Sequence, residues 1–193
     1  MFIAVVLHFK SVEHRKFQKK YGAERGIMLG KIFGTVSGTM EFAFLIGLWI
    51  SPQPKLVVPI FPSLAISVVD LSIPLLNLVV SLSLLVPGAW IALWAVRTTG
   101  LEVAETHCTP TNLTTSGPYS IVRHPQYLGW ILAHVGVSIL FSVAYSMLFT
   151  PVLVALVYLI SRKEEQELLK ELDKEYESYK KRVPMLIPRL RRR

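Results

Sequence analysis

Arg123, His124, Pro125 and Tyr127 stand together where a polar stretch of the chain runs into a long apolar one. Ionisable groups at membrane depth are rare, face protein or water rather than lipid, and usually mark function. Pro125 suits the first turn of a helix, where its missing N–H costs nothing. The remaining N–H groups of that turn lack intrahelical acceptors and can donate to a ligand. Thr114-Thr115-Ser116-Gly117-Pro118, just upstream, reads as a turn. Residues 116–129 therefore have the makings of a small-molecule site that opens onto a span.

The elements that must carry this site are apolar helices. The chain has 193 residues, of which 52% are hydrophobic, and a mean hydropathy of +0.46. Such values exclude an ordinary soluble domain and fit a small integral membrane protein. Apolar runs cover residues 29–50, 56–96 and 130–160. A span needs about 20 apolar residues, so the first run crosses once. The third is long enough for two short spans folded back near residues 142–150. In the middle run, 75–96 can span, whereas Pro59, Pro62, Asp70 and Pro74 interrupt 56–71, which either spans obliquely or dips in. Seven of the 21 Lys and Arg lie in residues 10–31 and eleven in 162–193. The positive-inside rule then puts both ends in the cytoplasm. The expectation is an all-α polytopic membrane bundle of four or five transmembrane helices. It forms one domain, with N-terminal spans over 1–97 and a loop, helical hairpin and amphipathic C-terminal helix over 98–193.

Other features have more ordinary readings. Gly30, Gly34 and Gly38 lay a smooth strip along one helix face for close packing. Glu41, in the same span, orients a ligand or pairs with a basic side chain. Met1–Phe9 is apolar but short, and is expected on the membrane surface or packed on the bundle. Cys108 is the single cysteine, so neither an internal disulfide nor a cysteine-built metal site is available. Glu102, Glu105 and His107 match no metal-ligand spacing and read as a solvated loop. Residues 162–182 carry acidic side chains at their start and basic ones toward their end, which complements the helix dipole. Pro184 biases Val183 toward extended geometry and stops this helix. The net charge of +8 is explained by lipid headgroups rather than nucleic acid. No G-x-G-x-x-G, G-x-x-x-x-G-K-[ST] or G-x-S-x-G is present, so no soluble Rossmann domain is expected.

Ser116-Gly117-Pro118-Tyr119 and Arg123-His124-Pro125-x-Tyr127-x-Gly129, followed by Glu164-Glu165, Tyr176, Tyr179, Val183-Pro184 and Ile187-Pro188, resemble the isoprenylcysteine carboxyl methyltransferase family. That family is related to the phospholipid methyltransferases. The resemblance runs from Leu113 to Pro188 and rests on the joint order of the motifs. It implies a membrane enzyme using S-adenosylmethionine in a cytoplasm-facing pocket. Carried over by position, His124, Pro125, Gln126 and Tyr127 would line that pocket, with Gly129 allowing close approach. Thr111, Asn112, Leu113, Thr114 and Tyr119 are further cofactor-binding candidates, and Glu164 or Glu165 matches the family's acidic position. A sulfonium with an ammonium tail favours carboxylates and aromatic faces. Where the family has an arginine for the substrate carboxylate, this chain has Ile160. Arg162, Arg123 and Arg182 are the catalytic candidates in its place.

The implied reaction is methyl transfer to a lipophilic acceptor that enters from the bilayer. A lipid-like or prenylcysteine-type carboxylate is the first reading, and a phospholipid amine or a thiol the alternative. A carboxylate needs no general base, whereas the other two must lose a proton. Two other classes compete. Membrane sterol reductases have a similar Arg-His-x-x-Tyr-x-Gly end and bind NADPH, and a helical hairpin alone could serve a non-enzymatic adaptor.

Overall fold

The structure, a computed structural model, describes residues 1–56, 65–68, 71–100 and 113–189. Asp70, Glu102, Glu105, His107, Cys108, the candidates Thr111 and Asn112, and the arginines at 191–193 lie outside the described residues. Within them the chain forms α1 (Phe2–Val12), α2 (His14–Tyr21), α3 (Ala23–Ile50), α4 (Leu75–Thr99), α5 (Pro125–Leu140) and α6 (Ala144–Arg182). An antiparallel ribbon, β1 (Ala65–Val68) with β2 (Leu71–Pro74), precedes α4, and a 3-10 turn (Gly117–Ser120) precedes α5.

Three of these helices, α3, α4 and α6, are long and apolar enough to cross a membrane. Large apolar side chains face outward along them, among them Met28, Trp90 and Leu148. Such a belt is stable only against lipid, and the chain is an integral membrane protein. α5, with 16 residues, is shorter than the usual span and completes the hairpin with α6. The hairpin turns at Ser142, where φ is +54°. The stretch 56–71 does not supply a fifth span in its described part, because Ala65–Val68 is a strand.

Small residues set the closest helix contacts. A Cβ on Gly88 of α4 would lie 2.8 Å from the Gly129 carbonyl oxygen, and one on Gly129 would lie 2.5 Å from that of Gly88. Seven residues further along α5, the Gly136 carbonyl accepts a 2.6 Å hydrogen bond from the Ser81 hydroxyl. Lipid tails are as apolar as leucine, so membrane helices associate through such van der Waals and polar contacts. The close approach that Gly129 permits is therefore to α4, not to a ligand. The α3 strip works likewise but is displaced toward the helix start. Gly26, Gly30 and Gly34 are buried, whereas a Cβ on Gly38 would touch nothing within 4 Å. Gly22, at φ +89°, a conformation that favours glycine, folds α2 back onto α3, and Gly26 meets the Gln18 backbone.

A second set of polar contacts ties the far end. Trp49 Nε1 donates to His134 Nδ1 (3.2 Å), and the Ser138 and Ser146 hydroxyls share a 2.7 Å bond. Gln53 Oε1 accepts from the backbone N–H of Tyr145 and Ser146, satisfying first-turn donors of α6. At the opposite end, α6 does not remain one rod. Glu165 and Lys180 would lie about 22 Å apart along a straight helix, yet their charged groups are 3.3 Å apart. The chain reverses at Asp173, whose φ of +41° and ψ of −117° are not helical. The sequence expectation of one unbroken amphipathic helix over 162–182 is corrected here.

Gly129→Val should therefore lower the melting temperature in detergent, by overpacking worth about 1–3 kcal/mol or more. Gly38→Ala should leave it unchanged, and equal losses in both would refute the assignment of the α4–α5 contact.

Candidate functional site

The site forms where α1, α3, α6 and the start of α5 converge. Pro125 is the first residue of α5, and His124 caps it with φ −124° and ψ 65°. This start is pinned by the end of the chain. The N–H groups of Arg123 and His124 donate to the carbonyls of Pro184 and Met185 (2.9 and 3.1 Å). Val183 is extended, as expected of a residue before proline. The Tyr179 hydroxyl donates to the Tyr119 carbonyl (2.6 Å), fastening the 3-10 turn to the same segment.

Glu165 is the hub. Its side chain is 2% exposed, and it accepts from Arg123 Nε (2.7 Å) and faces His124 Nε2 (3.3 Å) and Lys180 Nζ (3.3 Å). The Arg123 guanidinium also donates through Nη1 to the carbonyls of Lys180 and Val183. Beside this hub sits a second cluster. Tyr127 donates its hydroxyl to Glu164 Oε1, and its ring stacks on His124 at 5.7 Å between centroids. His124 Nδ1 lies 3.4 Å from Glu164 Oε2. From α1, His8 places Nδ1 3.1 Å from Glu41 Oε1 and Nε2 3.7 Å from Glu164 Oε1.

The charges set protonation. Burial opposes a cation at His8, but hydrogen bonds and charge from Glu164 and Glu41 outweigh it and lift the pKa from 6.5 to about 9. Burial likewise opposes protonation of His124, and Glu164 and Glu165 raise its pKa. Burial pushes the Tyr119 phenol up. At neutral pH both Glu164 and Glu41 thus face an imidazolium from α1.

Beyond Tyr127 opens a cavity of about 460 Å³ between α1, α3, α4, α5 and α6. Its wall is mainly apolar, with Phe42, Leu45, Leu93, Trp130, Leu156 and Ile160; His8, Glu41, Gln126 and Tyr127 are among its polar lining groups. Among the described residues none of the lining side chains is Lys or Arg.

The sequence candidates sort clearly. His124, Tyr127, Glu164, Glu165 and Arg123 come together, Pro125 starts the helix beneath them, and Gln126 lines the cavity. Tyr119 sits in the adjoining turn, with Leu113 and Thr114 partly buried just before it. Arg162 and Arg182 are exposed. The Arg162 guanidinium lies over the Tyr158 ring, and Arg182 Nε donates to the Ser178 carbonyl. Neither reaches the cavity, and Arg123 is engaged by Glu165 and two carbonyls, so the arginine pattern does not form a substrate clamp. Sequence reasoning missed His8 and Lys180. His8 is signalled only as an ionisable residue in an otherwise apolar stretch, and Lys180 is brought in by the reversal at Asp173.

Two consequences are measurable. A buried pair broken on one side costs about 3–5 kcal/mol, so Arg123→Gln should destabilise the protein by that order in chemical unfolding; a neutral variant would contradict the hub. For His8 the folded pKa is raised. Its contribution is therefore present in full below pH 6.5 and is lost as pH rises through about 9. Thermal stability should fall across that window, and His8→Asn should flatten the slope; parallel profiles would count against the charged His8.

The family model described as phospholipid methyltransferase matches residues 76–175. A methanethiol S-methyltransferase of Crocosphaera subtropica is 34% identical over 96 residues, covering 50% of this chain and 37% of that protein. Methanethiol S-methyltransferase 2 of Bradyrhizobium diazoefficiens is 39% identical over 72 residues, 37% of this chain and 27% of that protein. The protein-S-isoprenylcysteine O-methyltransferase of Homo sapiens is 33% identical over 94 residues, 45% and 30% of the two chains. The chain thus spans well under half the length of these curated relatives. No solved structure matches it. The family match begins in α4, runs through the His-Pro helix start and ends within α6 beyond Glu164 and Glu165, more than half of the chain, and the protein belongs to the phospholipid methyltransferase family.

Proposed function

We propose that this protein is a membrane methyltransferase that uses S-adenosylmethionine and acts on a lipophilic acceptor, with both basic ends and the site facing the cytoplasm. One observation carries the reading: a cluster of carboxylates, imidazoles and a tyrosine stands at a helix start, at the head of an apolar cavity inside the bundle. The donor set fits the cofactor, because a sulfonium with an ammonium tail favours carboxylates and aromatic rings. Glu164, Tyr127, Gln126, Tyr119 and the backbone at His124 would hold it. When bound, S-adenosylmethionine supplies an electrophilic methyl group on a sulfonium sulfur.

The chain's own work is positioning and exclusion of water. The hub at Glu165 fixes the start of α5, so that the Tyr127 ring and hydroxyl have one orientation. The apolar wall keeps water from the reacting groups and takes the acceptor's hydrocarbon part. Its head meets Glu41 and the His8 imidazolium side by side, with no Lys or Arg among the described lining residues. That pairing suits the carboxylate acceptor that heads the sequence reading and the amine or thiol alternative alike, and an amine or thiol must lose a proton before it attacks the methyl group. The basic residues of α2 and of the α6 end lie on one side of the bundle, where Lys163 pairs with Glu13 (2.6 Å) and Arg15 with Glu171 (3.1 Å). This supports the cytoplasmic orientation.

Calorimetry on detergent-solubilised protein tests the reading. S-adenosylhomocysteine should bind and NADPH should not, and Tyr127→Ala should weaken binding of the former by roughly tenfold or more. Binding of NADPH alone would replace this reading with a reductase, and binding of neither would favour an assembly role.

A further inference from the structure

The hydrogen bonds around His8 can close in two ways on nearly the same heavy-atom positions. The residue is 5% exposed, and set against its ring are Glu41 from α3, Glu164 from α6 and Tyr127 from α5. A carboxylate only accepts, so Nδ1 keeps its proton and donates to Glu41 Oε1 at 3.1 Å. Nε2 stands 3.7 Å from Glu164 Oε1 and 3.3 Å from the Tyr127 hydroxyl. As a cation the ring turns Nε2–H toward Glu164, and the Tyr127 hydroxyl donates to that same carboxylate. As a neutral ring it accepts at Nε2, and the Tyr127 hydroxyl can swing to it. Glu164 and the Tyr127 ring are also the groups assigned above to the cofactor's positive charge.

The neighbouring hub decides what a second cation does here. His8, His124, Arg123 and Lys180 stand against Glu41, Glu164 and Glu165. With both rings charged, these basic groups already outnumber the carboxylates. A further cation at Glu164 then meets like charge in a largely buried site, which disfavours a charged imidazole. His124 keeps Glu165 as a partner when Glu164 is taken, whereas His8 keeps only Glu41. We propose that His8 makes the site choose its ligand by charge: a sulfonium or ammonium group at Glu164 and Tyr127 takes the place of the proton on His8 Nε2, which leaves for solvent and returns when that charge is gone. This rests on the cofactor reading above and adds a residue of α1 to it. By linkage, a ligand that expels the proton binds more tightly once the proton is gone.

The test follows the His8 ring by NMR in the full chain with isotope-labelled histidine, in phosphatidylcholine nanodiscs, with His8→Asn identifying the signal. The ring should titrate at about 9 in the protein alone. Saturating S-adenosylmethionine should bring that midpoint down by about two pH units. Affinity for S-adenosylmethionine should rise over the same interval by the matching factor, on the order of a hundredfold. The cofactor's own amine titrates in this range, so the rise is taken in excess of that in His8→Asn. S-adenosylhomocysteine lacks the sulfonium: a fall of the midpoint with it as well assigns the ammonium group to Glu164, and a fall with S-adenosylmethionine alone assigns the sulfonium.

Trimethylsulfonium, compared with sodium at equal ionic strength, probes the site without the cofactor. A midpoint lowered by it, with no binding of S-adenosylmethionine, leaves the charge selection standing and removes the methyltransferase reading. Binding of S-adenosylmethionine with an unmoved ring overturns the proposal and keeps that reading. A ring that neither cation moves, or one already neutral at neutral pH in the protein alone, also overturns it.

Discussion

A carboxylate shut away from water must be paired, and Glu165 is where this protein meets that demand. Three basic groups from two places in the chain answer it: Arg123 and His124 ahead of α5, and Lys180 beyond the reversal of α6. The arrangement couples two parts of the fold that apolar packing alone would leave independent. The start of α5 is held against the returning segment by paired backbone bonds at Pro184 and Met185, and Arg123 closes that junction with its remaining donors. Everything the site presents, the stacked His124 and Tyr127 rings above all, takes its orientation from this junction.

The rest of the bundle shows why polar chemistry collects at one level. In lipid the backbone must be satisfied within the helices, and side-chain polarity is tolerated only where partners are built in. Toward one end the protein uses neutral partners, the Trp49–His134 contact and the Ser138–Ser146 pair. Toward the other it concentrates carboxylates and basic groups, with α1 and α2 covering them. Between these levels lies a chamber that is mostly apolar, with its polar lining groups, among them Glu41 and Tyr127, at the charged end. A hydrocarbon chain with a small polar head has the same asymmetry.

The stretch Arg123 to Gly129 was legible because its residue types conflict with their surroundings. A His-Pro step entering an apolar run has few structural explanations, and its joint order with Glu164-Glu165 and Val183-Pro184 narrows them further. Gly129 shows the limit of that reasoning. A glycine announces a close approach without naming the partner, and here the partner is Gly88 of α4. The three arginines show the same limit for charge: Arg162 and Arg182 face outward, and the geometry gives Arg123 to Glu165.

By itself the sequence determined the helical membrane class, the hairpin after Pro125, the stop at Val183-Pro184 and the residues from which the site is drawn. Each of these follows from local hydropathy, from proline's fixed dihedral, or from the rarity of charge at the edge of a span. Only the tertiary structure decided that α6 turns back at Asp173, that Lys180 joins Glu165, and that α1 carries His8 to Glu41 and Glu164. Those contacts link residues far apart in the chain, through a non-helical dihedral at one aspartate and a helix folded back at one glycine. Neither leaves a periodic or compositional trace, because the energy that selects them comes from pairing groups that meet only once the chain has folded.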